Sequence, residues 1–168
     1  MLFSVLGARY SLHRHLRQIV LLTYRHGGVT ARLEPAELLG AVDIWMFPKY
    51  PAKTVIVPPG RALMPAIRTF VQLHRAALCE HDAWLGTWVS PITGYWHIDI
   101  ATGCSNLDEA QQQAFAYSAR DGRTIVALYN LHQRRTVYLG HMIAALTTNR
   151  AETGTAPLSD TPMKRYIP

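Results

Sequence analysis

His97, Asp99 and Cys104 are residue types that can do chemistry together. His97 and Asp99 alternate with Trp96, Ile98 and Ile100, a period of two that makes a strand and sets both polar side chains on one face, roughly 7 Å apart. Cys104 lies just before a helix start at Asn106. A helix N-terminus favours negative charge and can lower a thiol pKa. A thiolate, an imidazole and an orienting carboxylate make a nucleophilic cysteine site. The same residues also fit a plainer reading, with two solvated groups on a polar strand face and a small residue in a tight turn.

Eight histidines raise metal binding as a second chemistry. His13-x-His15, Cys79-x-His81 and His97-x-Asp99 are each fragments of a ligand set. His-x-Asp followed by His141 matches part of a two-histidine, one-carboxylate iron site. Paired Cys-x2-Cys or His-x3-His spacing is missing, and on a helix His13 and His15 point roughly 200° apart. No metal or cofactor is therefore expected. The chain also lacks the glycine patterns of phosphate-binding loops and the Gly-x-Ser-x-Gly elbow, which argues against nucleotide hydrolysis and serine-hydrolase chemistry.

The net charge of +6 comes almost entirely from arginine, since Lys49, Lys53 and Lys164 are the only lysines. Arginine suits bidentate contact with phosphate or carboxylate, although codon composition can produce the same bias. Arg14, Arg17 and Arg25 project from one helical face and Arg61, Arg68 and Arg75 from another, a pattern that fits nucleic acid or an acidic protein surface. Trp84, Trp88 and Tyr95 form an aromatic set that packs a hairpin or anchors a protein partner.

These groups need a frame. Leu12, Leu16, Ile19 and Val20 predict a helix over 11–26, stopped by Gly27-Gly28. A strand follows at Val29 to Leu33, then a helical turn from Glu34-Pro35 to Gly40. Pro48 and Pro51 rule out a regular helix or a central strand at the start of 43–60. Strands are expected at Lys53–Val57, Trp84–Val89, Tyr95–Thr102, Thr124–Leu131 and Thr136–Leu139. Helices are expected at about Ala62–Glu80 and after Asn106, where Glu109 completes a capping box. A short helix over 141–149 and a polar, proline-containing tail at 151–168 complete the chain.

The expected fold is α+β. A ferredoxin-like split βαβ core over about 53–131 carries an N-terminal helix–strand extension and a disordered C-terminal tail. One domain spans 1–150. With 49% hydrophobic residues the core is well supplied. The longest apolar run, Ile19 to Leu22, is far short of the ~20 residues that span a bilayer. No basic segment precedes the apolar Met1 to Leu6, and two cysteines suit free thiols in a reducing compartment, so the expected setting is the cytoplasm.

Trp84-Leu85-Gly86-Thr87-Trp88, Tyr95-Trp96-His97-Ile98-Asp99-Ile100, Leu107-Asp108-Glu109-Ala110 and Ile125-Val126-Ala127-Leu128-Tyr129-Asn130 together resemble small uncharacterised bacterial proteins, some carried by phages and mobile elements. The resemblance covers under a third of the chain and implies a setting without a chemistry. The leading expectation is a non-enzymatic binding protein acting through its arginine-rich helix faces. A protein-interaction or assembly component using the aromatic hairpin, and a small enzyme built on Cys104, His97 and Asp99, are the alternatives. Sequence leaves the partner and oligomeric state open.

Overall fold

The computed structural model describes the backbone of residues 2–140 and the side chains of residues 11–140. Helix α1 (Leu2–His26) leads into β1 (Gly28–Arg32), β2 (Glu37–Leu38) and β3 (Trp45–Pro48). A 3-10 turn at Pro51–Lys53 separates β3 from β4 (Val55–Val57). Then come α2 (Leu63–Leu73), α3 (Arg75–Leu78), β5 (Trp84–Val89), β6 (Trp96–Cys104), α4 (Leu107–Asp121), β7 (Ala127–Asn130) and β8 (Arg135–Tyr138).

All eight strands join one antiparallel sheet in the order β2-β1-β5-β6-β3-β7-β8, with β4 also paired to β6. The α+β class holds, but the sheet is not the four-stranded layer expected of a ferredoxin-like core. It is wider and curls into a half-barrel. Side-chain size on its two faces accounts for the curl. Leu85, Ile98, Ile100, Trp45 and Phe47 fill the outer face beneath the helices, whereas Gly86, Ala101 and Gly103 stand on the inner face. Bulk outside and small residues inside let the strands bend inward.

Among the described residues, the helices cover the outer face alone. Ile19, Ile67 and Phe70 bring α1 and α2 against Leu85, Ile98 and Ile100. Ala110 and Ala114 bring α4 close to Trp45, Phe47 and Leu128. A buried hydroxyl pair, Thr23 and Thr87 at 2.6 Å, pins α1 to β5. Gly27 ends α1 with φ 78° and donates its N–H to the Thr23 carbonyl, a left-handed stop that glycine adopts without strain.

Several expected boundaries move. The turn after Glu34-Pro35 forms strand β2, because Arg32 and Ala31 of β1 offer it a free edge. Residues 43–60 contain β3, a central strand between β6 and β7. Prolines exclude a central strand only where both neighbours need the missing donor, and β7 pairs with Trp45 and Met46 alone, stopping short of Pro48. The strand expected from Lys53 begins at Val55, since Pro51 starts a 3-10 turn. The helix over 62–80 is divided at His74, whose φ and ψ of −118° and 20° leave the helical region. The helix at 141–149 and the tail at 151–168 lie outside the described residues.

Candidate functional site

The nine residues of β6 divide by parity. Ile98, Ile100, Thr102 and Cys104 turn to the helices, while His97, Asp99, Ala101 and Gly103 turn to the inside of the half-barrel. The expectation that His97 and Asp99 share a face therefore meets its structural counterpart: both line a groove of about 270 Å³ on the concave side. Cys104 does not join them. It sits at the far end of β6, on the opposite face, packed against the core beneath α4. Burial, with Glu109 nearby, pushes its thiol pKa up and away from the thiolate. The three residues do not form one constellation.

The groove owes its depth to a break in the strand beside β6. Pro48 pairs with Ala101, the Lys49 amide still donates to the Ile100 carbonyl at 2.7 Å, and pairing resumes only at Val55 opposite Ile98. Residues 50–54 leave the sheet level with Asp99. Their excursion is tied down at several points. Lys49 Nζ meets Glu80 at 2.5 Å and Asp82 at 2.6 Å, and the Tyr50 hydroxyl donates to Glu80 at 2.9 Å. Burial pulls the Lys49 pKa down, but the hydrogen bonds to Asp82 and Glu80 outweigh it and leave the ammonium more firmly charged. Arg120 donates to the Lys49 carbonyl at 2.6 Å, and Arg123 to the Thr54 carbonyl at 2.5 Å.

Asp99 forms the polar centre of the floor. Thr54 donates its hydroxyl to Asp99 Oδ1 at 2.5 Å. Protein surrounds the carboxyl so closely that desolvation raises its pKa to about 6, against the opposing pull of the Thr54 hydrogen bond and the Arg123 charge. None of the ion pairs among the described residues includes Asp99. No described side chain donates to Oδ2, and that oxygen is not sealed from the groove. His97 stands two residues away with its pKa lowered by burial and by Arg123, so its ring is neutral at pH 7. Trp88 lies against the His97 ring, centroids 5.1 Å apart. Met46, Ile56, Val126 and Tyr129 complete a largely apolar wall, with Ile56 (47% exposed) and Val126 at the rim.

The aromatic set does not form one anchor patch. Trp84 lies beneath the Arg32 guanidinium at 5.0 Å, Trp88 belongs to the groove, and Tyr95 stands exposed at the β5–β6 connection. The arginines divide as well. Arg14 and Arg17 border a shallow recess on α1 with His13, and Arg68 reaches across from α2 to donate to His13 Nδ1. Arg75 is held by Glu34 at 2.6 Å. Arg25 lies in the last turn of α1, and Arg61 precedes the cap of α2. Among the described residues there is no cluster of three or more His, Cys, Asp or Glu side chains placed to hold a metal ion, and no helix long and apolar enough to cross a membrane.

Sequence reasoning missed Thr54, Arg123 and Ile56. Ile56 could have been found from parity, since it pairs with His97 and so shares its face. Thr54 and Arg123 carry no local signal, because Thr54 meets Asp99 only through the excursion and Arg123 meets the Thr54 carbonyl there. Comparison with family models, with curated proteins and with solved structures finds no match to this chain.

Proposed function

We propose that this chain is a small-molecule-binding protein that holds a ligand of roughly nucleobase or amino-acid size in the concave groove, with a polar group of the ligand facing Asp99. One observation carries the reading: an apolar groove that the described helices leave uncovered, with a half-buried carboxyl at its floor. Ligand sites are characteristically concave, mostly apolar and fitted with a few convergent polar groups, and perturbed titratable residues concentrate in them. The test is binding of the neutral fluorophore N-phenylnaphthylamine, which brightens in apolar surroundings. The full chain should bind it, and Ile56→Trp, which fills the mouth at a half-exposed rim position, should weaken that binding at least about tenfold while the melting temperature holds. Equal binding by the folded variant would refute the groove as the site.

A second reading has its own support. The approach of Arg68 to His13 gathers Arg14, Arg17 and Arg68 from two helices, an arrangement suited to a phosphate backbone or an acidic protein surface. Binding of nucleic acid through such residues weakens steeply as salt rises. Arg75 contributes least to it, because Glu34 already neutralises it. The resemblance of residues 84–131 to phage and mobile-element proteins is compatible with both readings and selects neither.

For the architecture, the inner order β5-β6-β3-β7 with α2 and α4 on one face supports reading these elements as a ferredoxin-like kernel. In that reading β1 and β2 extend one edge, and β8 extends the other.

A further inference from the structure

We infer that the groove selects a flat ring carrying N–H donors, such as an amidine, aminopyridine or nucleobase edge, which donates to the open oxygen of Asp99, and that it rejects a carboxylate in the same place. The inference rests on the groove reading above and adds the class of ligand.

The argument starts from an imbalance at the floor. A carboxylate drawn out of water needs partners for both oxygens, or a cation, to offset its lost hydration. Thr54 supplies one hydrogen bond, to Oδ1. Oδ2 has no donor among the described side chains and opens to the groove. Arg123 is the nearest cation, but it is turned to the Thr54 carbonyl and makes no ion pair with Asp99. The missing partner is therefore a donor, and it must enter from the groove.

The walls define the rest of the ligand. Trp88 and Ile56 flank His97 across the paired strands, as the register Trp88–His97–Ile56 requires. An aromatic face beside the floor suits a flat ring stacked on it. Gly86, paired with Asp99, and Ala101, paired with Trp84, leave the floor low enough for ring atoms to reach the carboxyl. The neutral His97 ring offers one further donor or acceptor to the ligand edge.

Four ionisable groups face the groove. His97 on β6, Arg123 ahead of β7 and Tyr129 on β7 share the groove with Asp99. Of these, Asp99 changes charge near pH 6. A donor ligand prefers the ionised form, so its affinity should rise with pH through that range.

The experiment uses three probes of one shape, benzamidine, benzamide and benzoate, each competing with N-phenylnaphthylamine for the full chain. Benzamidine should displace the fluorophore at a concentration at least about tenfold below benzoate, since a charge-assisted hydrogen bond contributes more than a tenfold preference. Asp99→Asn should abolish that preference while still binding the fluorophore, which reports that the variant is folded. Benzamidine should also bind more weakly at about pH 5 than at about pH 8. Benzoate as the strongest competitor, acting through Arg123, would overturn the donor inference and leave the groove reading standing. Failure of all three to compete would do the same. If the fluorophore itself is indifferent to Ile56→Trp, the groove reading falls and takes this inference with it.

Discussion

Asp99 has a cost in the folded chain that varies with pH. Its folded pKa, about 6, lies above the ordinary carboxylate value of 3.8. The folded protein therefore holds this proton more tightly than the unfolded chain. Its contribution to stability is full below the unfolded pKa and is lost as pH rises through about 6. Asp99→Asn removes the charge while keeping an oxygen for the Thr54 hydroxyl. It should stabilise the protein by about 1–3 kcal/mol at pH 8 and by little near pH 4, measured as denaturant midpoints at the two pH values. A destabilised variant at pH 8 would mean the carboxylate is satisfied inside the fold, and the case for an incoming donor would weaken. The pairing of His97 with Asp99 was legible in the sequence, because a strand's period of two is local. Cys104 misled because β6 runs to residue 104, beyond the strand end expected at Thr102, and the added residues fix the thiol on the helix face.

At the scale of elements, the groove depends on how tightly β3 and β6 approach before they part. A Cβ on Gly103 would lie 2.6 Å from Ile44, 2.7 Å from the Met46 sulfur and 2.8 Å from the Trp45 carbonyl oxygen. Backbone cannot yield there as a flexible side-chain end could. Gly103→Ala should cost about 1–3 kcal/mol in chemical denaturation. A neutral result would show that β3 can shift on β6. Elements with local signals were well placed by sequence: β5 was expected at its observed bounds, and Asn106 caps α4 by accepting the Glu109 N–H at 3.1 Å. The excursion at 50–54 was not legible. It is set by Lys49 reaching Glu80 and Asp82, by Tyr50 reaching Glu80, and by Arg120 and Arg123 reaching back, contacts that span about thirty to seventy residues of chain. No pattern within 43–60 encodes them, and the prolines there pointed away from β3.

At the scale of the molecule, helices and groove divide the sheet between them. Among the described residues, one face is packed by α1, α2 and α4, and the other is curled and open. Composition and charge anticipated a basic protein with a good core, but not which face would be left bare, since that follows from where small residues fall on paired strands. The two functional readings now occupy different places. The groove lies inside the half-barrel, while Arg14, Arg17 and Arg68 meet on the helical exterior. An amide-resolved NMR titration with N-phenylnaphthylamine separates them. Shifts concentrated at Ile56, Trp88, His97, Asp99 and Val126 are the predicted result. Shifts confined to His13, Arg14, Arg17 and Leu21, with the concave strands silent, would contradict it.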